Sequence, residues 1–160
     1  MSFIASGSYS NGLKIYKSSD LELYSTIKKS WFSGSLISIF NSENQLILEI
    51  KESRFFGSKF KIIFKHNSIL KRQFLIKDSN LANSELIFEN NDKITLARKW
   101  IPLVNPYSKI IYNEKVIGKV KMNIFSLERN YEINLNHAQT EIELYLLILF
   151  LCTESNVNFE

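Results

Sequence analysis

Few residues in this chain could carry out covalent or acid–base chemistry, and their positions argue against it. Cys152, the one cysteine, lies in an apolar run, where a thiol without a cationic neighbour stays protonated and unreactive. His66 and His137 do not occur in a metal-binding spacing such as His-Glu-x-x-His. Glu141 and Glu143 fit the first turn of a helix, whose dipole favours negative charge there. We therefore predict a protein that is not an enzyme, without catalytic residues, metal or cofactor.

Lysine is the abundant chemical group of the sequence. The chain has 16 lysines and 4 arginines, with a formal net charge of +4. Two predicted strands each carry three lysines on one face: Lys59, Lys61 and Lys65 on the first, and Lys115, Lys119 and Lys121 on the second. If both faces point outward and lie close together, they form a surface that attracts anions. The alternative is a solvated exterior in a chain whose lysine content follows codon usage.

A second feature combines basic and aromatic residues. Lys28 and Lys29 precede Trp31 and Phe32 in a segment with the composition of a loop. Bases next to tryptophan are typical of contacts with the headgroup region of a membrane. The alternative is that Trp31 and Phe32 begin a strand and fill one end of the core. Nucleic acid is not an expected partner, because single-strand binding favours aromatic residues interleaved with arginine.

No targeting or membrane-spanning segment is expected. The N-terminal residues lack the basic and apolar regions of a signal peptide, and Ser2 excludes the glycine needed for myristoylation. The most apolar run, Leu144–Cys152, is shorter than the roughly 20 residues that span a bilayer. The expected location is the cytoplasm, with the option of peripheral attachment to a membrane.

The lysines lie in short runs where apolar and polar residues alternate with a period of two, and this alternation predicts β-strands. The clearest runs are Leu46–Lys51, Lys59–Lys65, Gln73–Lys77 and Lys115–Met122. This alternation predicts that five apolar side chains point inward: Phe60, Ile62, Phe64, Val120 and Met122. It predicts that the neighbouring lysines point outward: Lys59, Lys61, Lys119 and Lys121. Asparagine-rich turns such as Asn113-Glu114 separate the strands.

The end of the chain reads as a helix. Residues 140–152 are too many for one typical strand, and Leu144–Cys152 is apolar on every face. An antiparallel β-barrel, closed or nearly closed, around this central helix would bury all of its faces and remove the sheet edges. A two-layer α+β domain is the alternative. Residues 1–20 are serine-rich and predicted to be irregular, which leaves residues 21–160 as a single mainly β domain.

The pattern resembles the tubby C-terminal-like superfamily, which includes tubby proteins, plant LURP-one-related proteins and phospholipid scramblases. The stretches that carry the resemblance are Ser38–Ile50, Ile111–Val120 and the terminal apolar helix. The resemblance implies a barrel around a central hydrophobic helix. For some members it also implies binding of phosphoinositides or other anionic membrane lipids.

Three functions remain open from the sequence. The first is a binding module that recognises an anionic membrane surface or lipid headgroup. The second is an adaptor or immunity-type domain that binds a protein partner. The third is a barrel that carries a small apolar ligand, which requires a lumen free of side chains.

Overall fold

The structure, a computed structural model, describes residues 1–8, 11–30, 34–53, 59–78, 83–99, 107–123, 128–137 and 140–154. Within these ranges the chain forms twelve β-strands followed by one α-helix. The first six strands are β1 (Ser2–Ser8), β2 (Gly12–Lys17), β3 (Asp20–Ser30), β4 (Gly34–Asn41), β5 (Leu46–Ser53) and β6 (Lys59–Lys65). The next six are β7 (Phe74–Asp78), β8 (Asn83–Phe88), β9 (Lys93–Lys99), β10 (Tyr107–Tyr112), β11 (Lys115–Asn123) and β12 (Arg129–Leu135), and the helix is α1 (Thr140–Glu154).

The strands form a closed barrel in which each strand pairs with its neighbours in sequence and β1 pairs with β12. All the pairings are antiparallel. Turn residues at positive φ allow the tight connections: Asn113 and Glu114 join β10 to β11 with φ values of 45° and 71°. The prediction of a mainly β, antiparallel barrel with a C-terminal helix is confirmed.

Helix α1 is buried along most of its length. Ile142 and the run from Tyr145 to Thr153 are buried, and the helix contacts β8 as well as β3 and β4. Strand β8 is four positions from β4 in the order of strands around the barrel, so these contacts come from different sides. The prediction of a central helix is confirmed, because a helix without a polar face is stable only where every face is covered.

A β-bulge in β6 changes the predicted side-chain alternation of that strand. In β6, Ile62 pairs with Ile50 but Phe64 pairs with Glu49, so Ile63 is an extra residue. Phe60 and Ile62 pack against the core as predicted, whereas Phe64 is 41% exposed and its predicted inward orientation is wrong. In β11, which has a similar irregularity, the predictions hold: Val120 is buried, Met122 packs against the core, and Lys119 and Lys121 are exposed.

The prediction that residues 1–20 are irregular is wrong, because the described residues in this range form β1, β2 and the turn that follows. Phe3 and Ala5 alternate inward from β1, and Leu13 and Ile15 from β2; all four are almost completely buried. The alternation of β1 is obscured in the sequence because its outward residue between Phe3 and Ala5 is the apolar Ile4, which is 59% exposed. Pairing of β1 with β12 closes the barrel, so the strand gains backbone hydrogen bonds that its own composition does not predict.

Truncation of the helix core should destabilise the whole domain. Leu149 is fully buried, and Leu149→Ala should lower the free energy of unfolding by about 2–5 kcal/mol, because it leaves a cavity that the barrel cannot fill. Leu75→Ala is the matched control, because Leu75 is 46% exposed. We expect it to change the free energy of unfolding by no more than about 0.5–1 kcal/mol. Urea unfolding followed by circular dichroism measures both, and equal effects would contradict a central helix.

Candidate functional site

Two predicted site residues, Lys28 and Lys61, lie in one row on the outer surface together with Lys51, which was not predicted. In register, Lys28 of β3 pairs with Leu36 of β4, Leu36 with Lys51 of β5, and Lys51 with Lys61 of β6. Directly paired residues share one face of a sheet. Lys28, Lys51 and Lys61 are all exposed, which makes this face the outside. We call Lys28, Lys51 and Lys61 the β3–β6 lysine row.

The lysines of this row form no ion pair among the described residues; Glu49, two residues from Lys51 on the same face of β5, accepts a hydrogen bond from the Ser38 hydroxyl at 3.0 Å instead. Lys51 and Lys61 are directly opposite each other, and like charges in that position destabilise a sheet. The ion pairs of the described residues are Lys17–Glu143, Arg72–Asp92, Lys93–Glu85 and Arg98–Glu154, and they leave the row without a partner. The exposed Lys77 continues the basic surface onto β7, where it pairs in register with Lys59.

The second predicted group of lysines lies elsewhere on the barrel. Lys119 of β11 pairs with Lys109 of β10, and Lys121 pairs with Glu132 of β12. Strands β7, β8 and β9 separate β6 from β10 in the barrel. The two lysine groups therefore form two surfaces instead of one. The acidic Glu132 beside Lys121 makes the β10–β11 surface the less positive of the two.

Two lysines do not share the faces that were predicted for them, because each lies beyond a bulge. Lys65 pairs with the buried Leu48, and its Nζ donates a hydrogen bond to the carbonyl oxygen of Arg72 at 3.3 Å. Lys115 is exposed but pairs with Tyr112, out of phase with Lys119.

Four predicted site residues are only partly covered by the structure or lie outside it. The backbones of Lys29 and Lys59 belong to β3 and β6, but their side chains are outside the described part of the structure. Trp31 and Phe32 lie wholly outside the described residues. Gly34, the first residue of β4, has a φ of 87°. A Cβ atom there would lie 1.8 Å from the carbonyl oxygen of Glu52, so this position requires a glycine.

The sequence interpretation missed Lys51 and Lys77 as members of the basic surface. Lys51 stands alone at the end of an apolar run, and Lys77 is the penultimate residue of the short strand β7. No local pattern distinguishes them from other solvated lysines. Only the register of β5 with β6, and of β6 with β7, places them beside Lys61 and Lys59.

The other reactive groups serve the fold. Cys152 is fully buried, and burial raises the pKa of its thiol far above the usual value, so it stays protonated. Within the described residues, no group of three or more His, Cys, Asp or Glu side chains is placed to hold a metal ion. Neither observation offers a nucleophile or a Lewis acid at the surface of the barrel.

A polar cluster at one end of the barrel joins three connections. The carboxylate of Asp92 accepts hydrogen bonds from Asn90 at 2.7 Å, Asn113 at 2.7 Å, Tyr112 at 3.1 Å and Arg72 at 3.2 Å. The hydrogen bonds from Asn90 and Asn113, followed by those from Tyr112 and Arg72, lower the pKa of Asp92 to about 2. Because both carboxylate oxygens already accept hydrogen bonds, we interpret the cluster as a structural clamp.

A second polar cluster anchors the C-terminal end of α1. The buried Arg129 donates a hydrogen bond to the backbone carbonyl oxygen of Glu154. The Glu154 carboxylate accepts a hydrogen bond from the Tyr131 hydroxyl at 3.1 Å and lies 3.5 Å from the Arg98 guanidinium. Cations are favourable at a helix C-terminus because of the negative end of its dipole. This cluster therefore holds the helix in the barrel.

These features define a class of protein: a closed β-barrel filled by its own C-terminal helix, with its polar chemistry on the outside. A family model, Tubby C-terminal like domain, matches residues 13–155, and the chain belongs to this family. The resemblance inferred from the sequence is thereby confirmed. No match was found among curated proteins or among solved structures. In the described part of the chain, no helix has the length and hydropathy that a membrane span requires.

The Asp92 clamp should make stability depend on pH in the acid range. Its folded-state pKa of about 2 lies below the ordinary 3.8. The clamp therefore contributes stability above about pH 4 and loses it as the pH falls towards 2. The Asp92→Asn variant lacks this charge. The amount by which its free energy of unfolding lies below that of wild type should therefore shrink as the pH falls from about 5 to about 2. Urea unfolding across this range measures the difference, and a constant difference would refute the clamp.

Proposed function

We propose that this domain is a non-catalytic binding module that docks on anionic membrane surfaces through the β3–β6 lysine row. The observation that carries the proposal is the row of three exposed lysines, Lys28, Lys51 and Lys61, in which Lys51 pairs directly with Lys61. Such a pair costs stability in the free protein, and an anionic surface would relieve the repulsion. Each lysine near such a surface contributes about 1 kcal/mol.

The sequence beside the row supplies apolar groups suited to an interface. Strand β3 leads from Lys28 to Trp31 and Phe32, and β5 leads from Lys51 to Arg54, Phe55 and Phe56. In the antiparallel barrel, the connections from β3 to β4 and from β5 to β6 leave from the same end. Aromatic side chains favour the headgroup region and add an anchor that salt does not screen.

The proposal gives the protein a peripheral location at the cytoplasmic leaflet, where anionic lipids are concentrated. Function as a protein-binding module is the second candidate. Exposed apolar side chains on β6 and β7 favour it: Ile63, Phe64 and Leu75 are between 41% and 51% exposed. These side chains lie beside the lysine row but form a separate feature.

Charge reversal should distinguish the two lysine surfaces. The triple variant Lys28→Glu, Lys51→Glu, Lys61→Glu should lose binding to phosphatidylserine-containing vesicles at low salt. Neutralising three such lysines alone would weaken binding roughly a hundredfold. The matched control, Lys109→Glu, Lys119→Glu, Lys121→Glu, changes the net charge equally and should retain most of the binding. Vesicle co-sedimentation measures both variants.

Two results would overturn the membrane proposal. The first is a wild-type protein that ignores phosphatidylserine vesicles even at low ionic strength. The second is an equal loss of binding by the two triple variants, because binding would then follow the net charge and not the row.

The aromatic anchor should be separable from the charge by its response to salt. Trp31→Ala, Phe32→Ala should weaken vesicle binding at every salt concentration, because burial of apolar groups is not screened. The lysine-row variant should differ from wild type most at low salt, since the Debye length falls from about 10 Å at 0.1 M to about 3 Å at 1 M. Co-sedimentation across a salt series measures this, and an aromatic variant that binds like wild type would remove the anchor from the proposal.

A further inference from the structure

The barrel is closed least completely between β6 and β7. Among the described residues, a single registered pair, Lys59 with Lys77, joins these strands. The other eleven pairings have between four and eight registered pairs each. Beyond Lys59, the strand β6 continues to Lys65 along β5 but without registered pairs to β7. Within the described residues, one edge of β6 therefore has no registered strand partner over most of its length.

The connection between β6 and β7 explains why the strands diverge. After His66 the chain makes a turn in which the Ile69 and Leu70 N–H groups donate hydrogen bonds to the His66 carbonyl oxygen. The turn places Leu70 in the core with no exposure. The backbone N–H of Arg72 then bonds to the Tyr145 hydroxyl of α1 at 2.9 Å instead of to β6. The open edge is thus fixed by contacts with the core.

We call the place where β6 and β7 diverge the β6–β7 seam. The side chains around it are apolar and basic. Ile63 and Phe64 of β6 and Leu75 of β7 are about half exposed, and they are three of the five large apolar side chains exposed in the described residues. Lys61 and Lys77 flank them and are also exposed. An unpaired strand edge with apolar neighbours is the structural requirement for the addition of a strand from another chain.

We infer that the β6–β7 seam accepts an extended segment of a partner protein in which acidic and apolar residues alternate. A strand paired with β6 would direct alternate side chains outward, towards Lys61 and Lys77, and inward, towards the core. The outward positions therefore favour glutamate or aspartate, and the inward positions favour valine or isoleucine. A second copy of this chain is a poor occupant, because edge-to-edge pairing of β6 would bring lysines against lysines.

A designed peptide tests this inference. The probe is fluorescein-labelled, N-acetylated Glu-Val-Glu-Ile-Glu-Val-Glu amide, and its binding to the intact protein is measured by fluorescence anisotropy. Two control peptides carry lysine in place of glutamate, or N-methyl groups on every backbone amide. We expect both controls to bind at least about tenfold more weakly, because one repels the lysines and the other cannot donate backbone hydrogen bonds.

Matched variants locate the binding. Phe64→Glu, Leu75→Glu should reduce peptide affinity about tenfold or more, because it removes the exposed apolar contacts and repels the acidic peptide. The control is Ile4→Glu, Val116→Glu, which makes the same change at side chains 59% and 50% exposed on β1 and β11. It should bind the peptide like wild type. Thermal unfolding of both variants verifies that they are folded.

Hydrogen exchange identifies the strand that receives the peptide. The amides of Lys61–Lys65 should exchange faster in the free protein than those of β4 and β5, and the peptide should slow them. The inference is overturned if the acidic peptide does not bind, if N-methylation does not weaken binding, or if protection appears on other strands.

Membrane binding and self-association give distinct outcomes. If Phe64→Glu, Leu75→Glu reduces vesicle binding while the peptide does not bind wild type, the seam belongs to the membrane surface and the strand-acceptor inference fails. Slow exchange of the seam amides in a dimer without peptide, detected by sedimentation at increasing concentration, would also overturn it. Loss of vesicle binding in the lysine-row variant alone tests the membrane proposal and leaves this inference standing.

Discussion

The structure depends on the burial of α1. The helix is apolar around its whole circumference, and ten of its residues are buried. A helix of this kind cannot lie on one face of a sheet without exposing apolar surface to water. A closed barrel meets the requirement and also leaves almost no free strand edge. The clusters at the two ends, around Asp92 and around Glu154, then fix the connections and the helix terminus.

Because the interior of the barrel is filled by side chains, any binding site has to lie on its exterior. Side chains of the strands and of α1 together form the core, so the central space is occupied by the protein itself. The hypothesis of a small apolar ligand in the lumen therefore finds no support. Binding has to use the outer faces of the strands, the loops at the barrel ends, or an imperfection in the sheet. The β3–β6 lysine row and the β6–β7 seam are the two outer features with distinctive chemistry.

These two features have related energetic origins. Paired lysines repel each other, and an open strand edge leaves backbone groups without a strand partner. Both are costs to the free protein that a partner of suitable charge and shape would relieve. The lysines at the seam also discourage pairing between copies of the chain, which is a common role of charged residues at strand edges.

The sequence by itself determined the parts of the fold that repeat over a few residues. The period-two alternation located the strands around Leu46, Phe60 and Val120, and the length of the apolar run located α1 within two residues of its end at Glu154. The outer orientation of Lys61, Lys119 and Lys121 followed from the same alternation. These features are local, so a single chain segment contains the information that specifies them.

Only the tertiary structure decided which residues meet. The bulge at Ile63 reversed Phe64 and Lys65, because an extra residue shifts every side chain beyond it to the opposite face. Strand β1 formed because β12 was available to pair with it, despite its serine-rich sequence. The register across four strands placed Lys51 between Lys28 and Lys61. Strand pairing joins residues distant in sequence, and no local pattern encodes the partner.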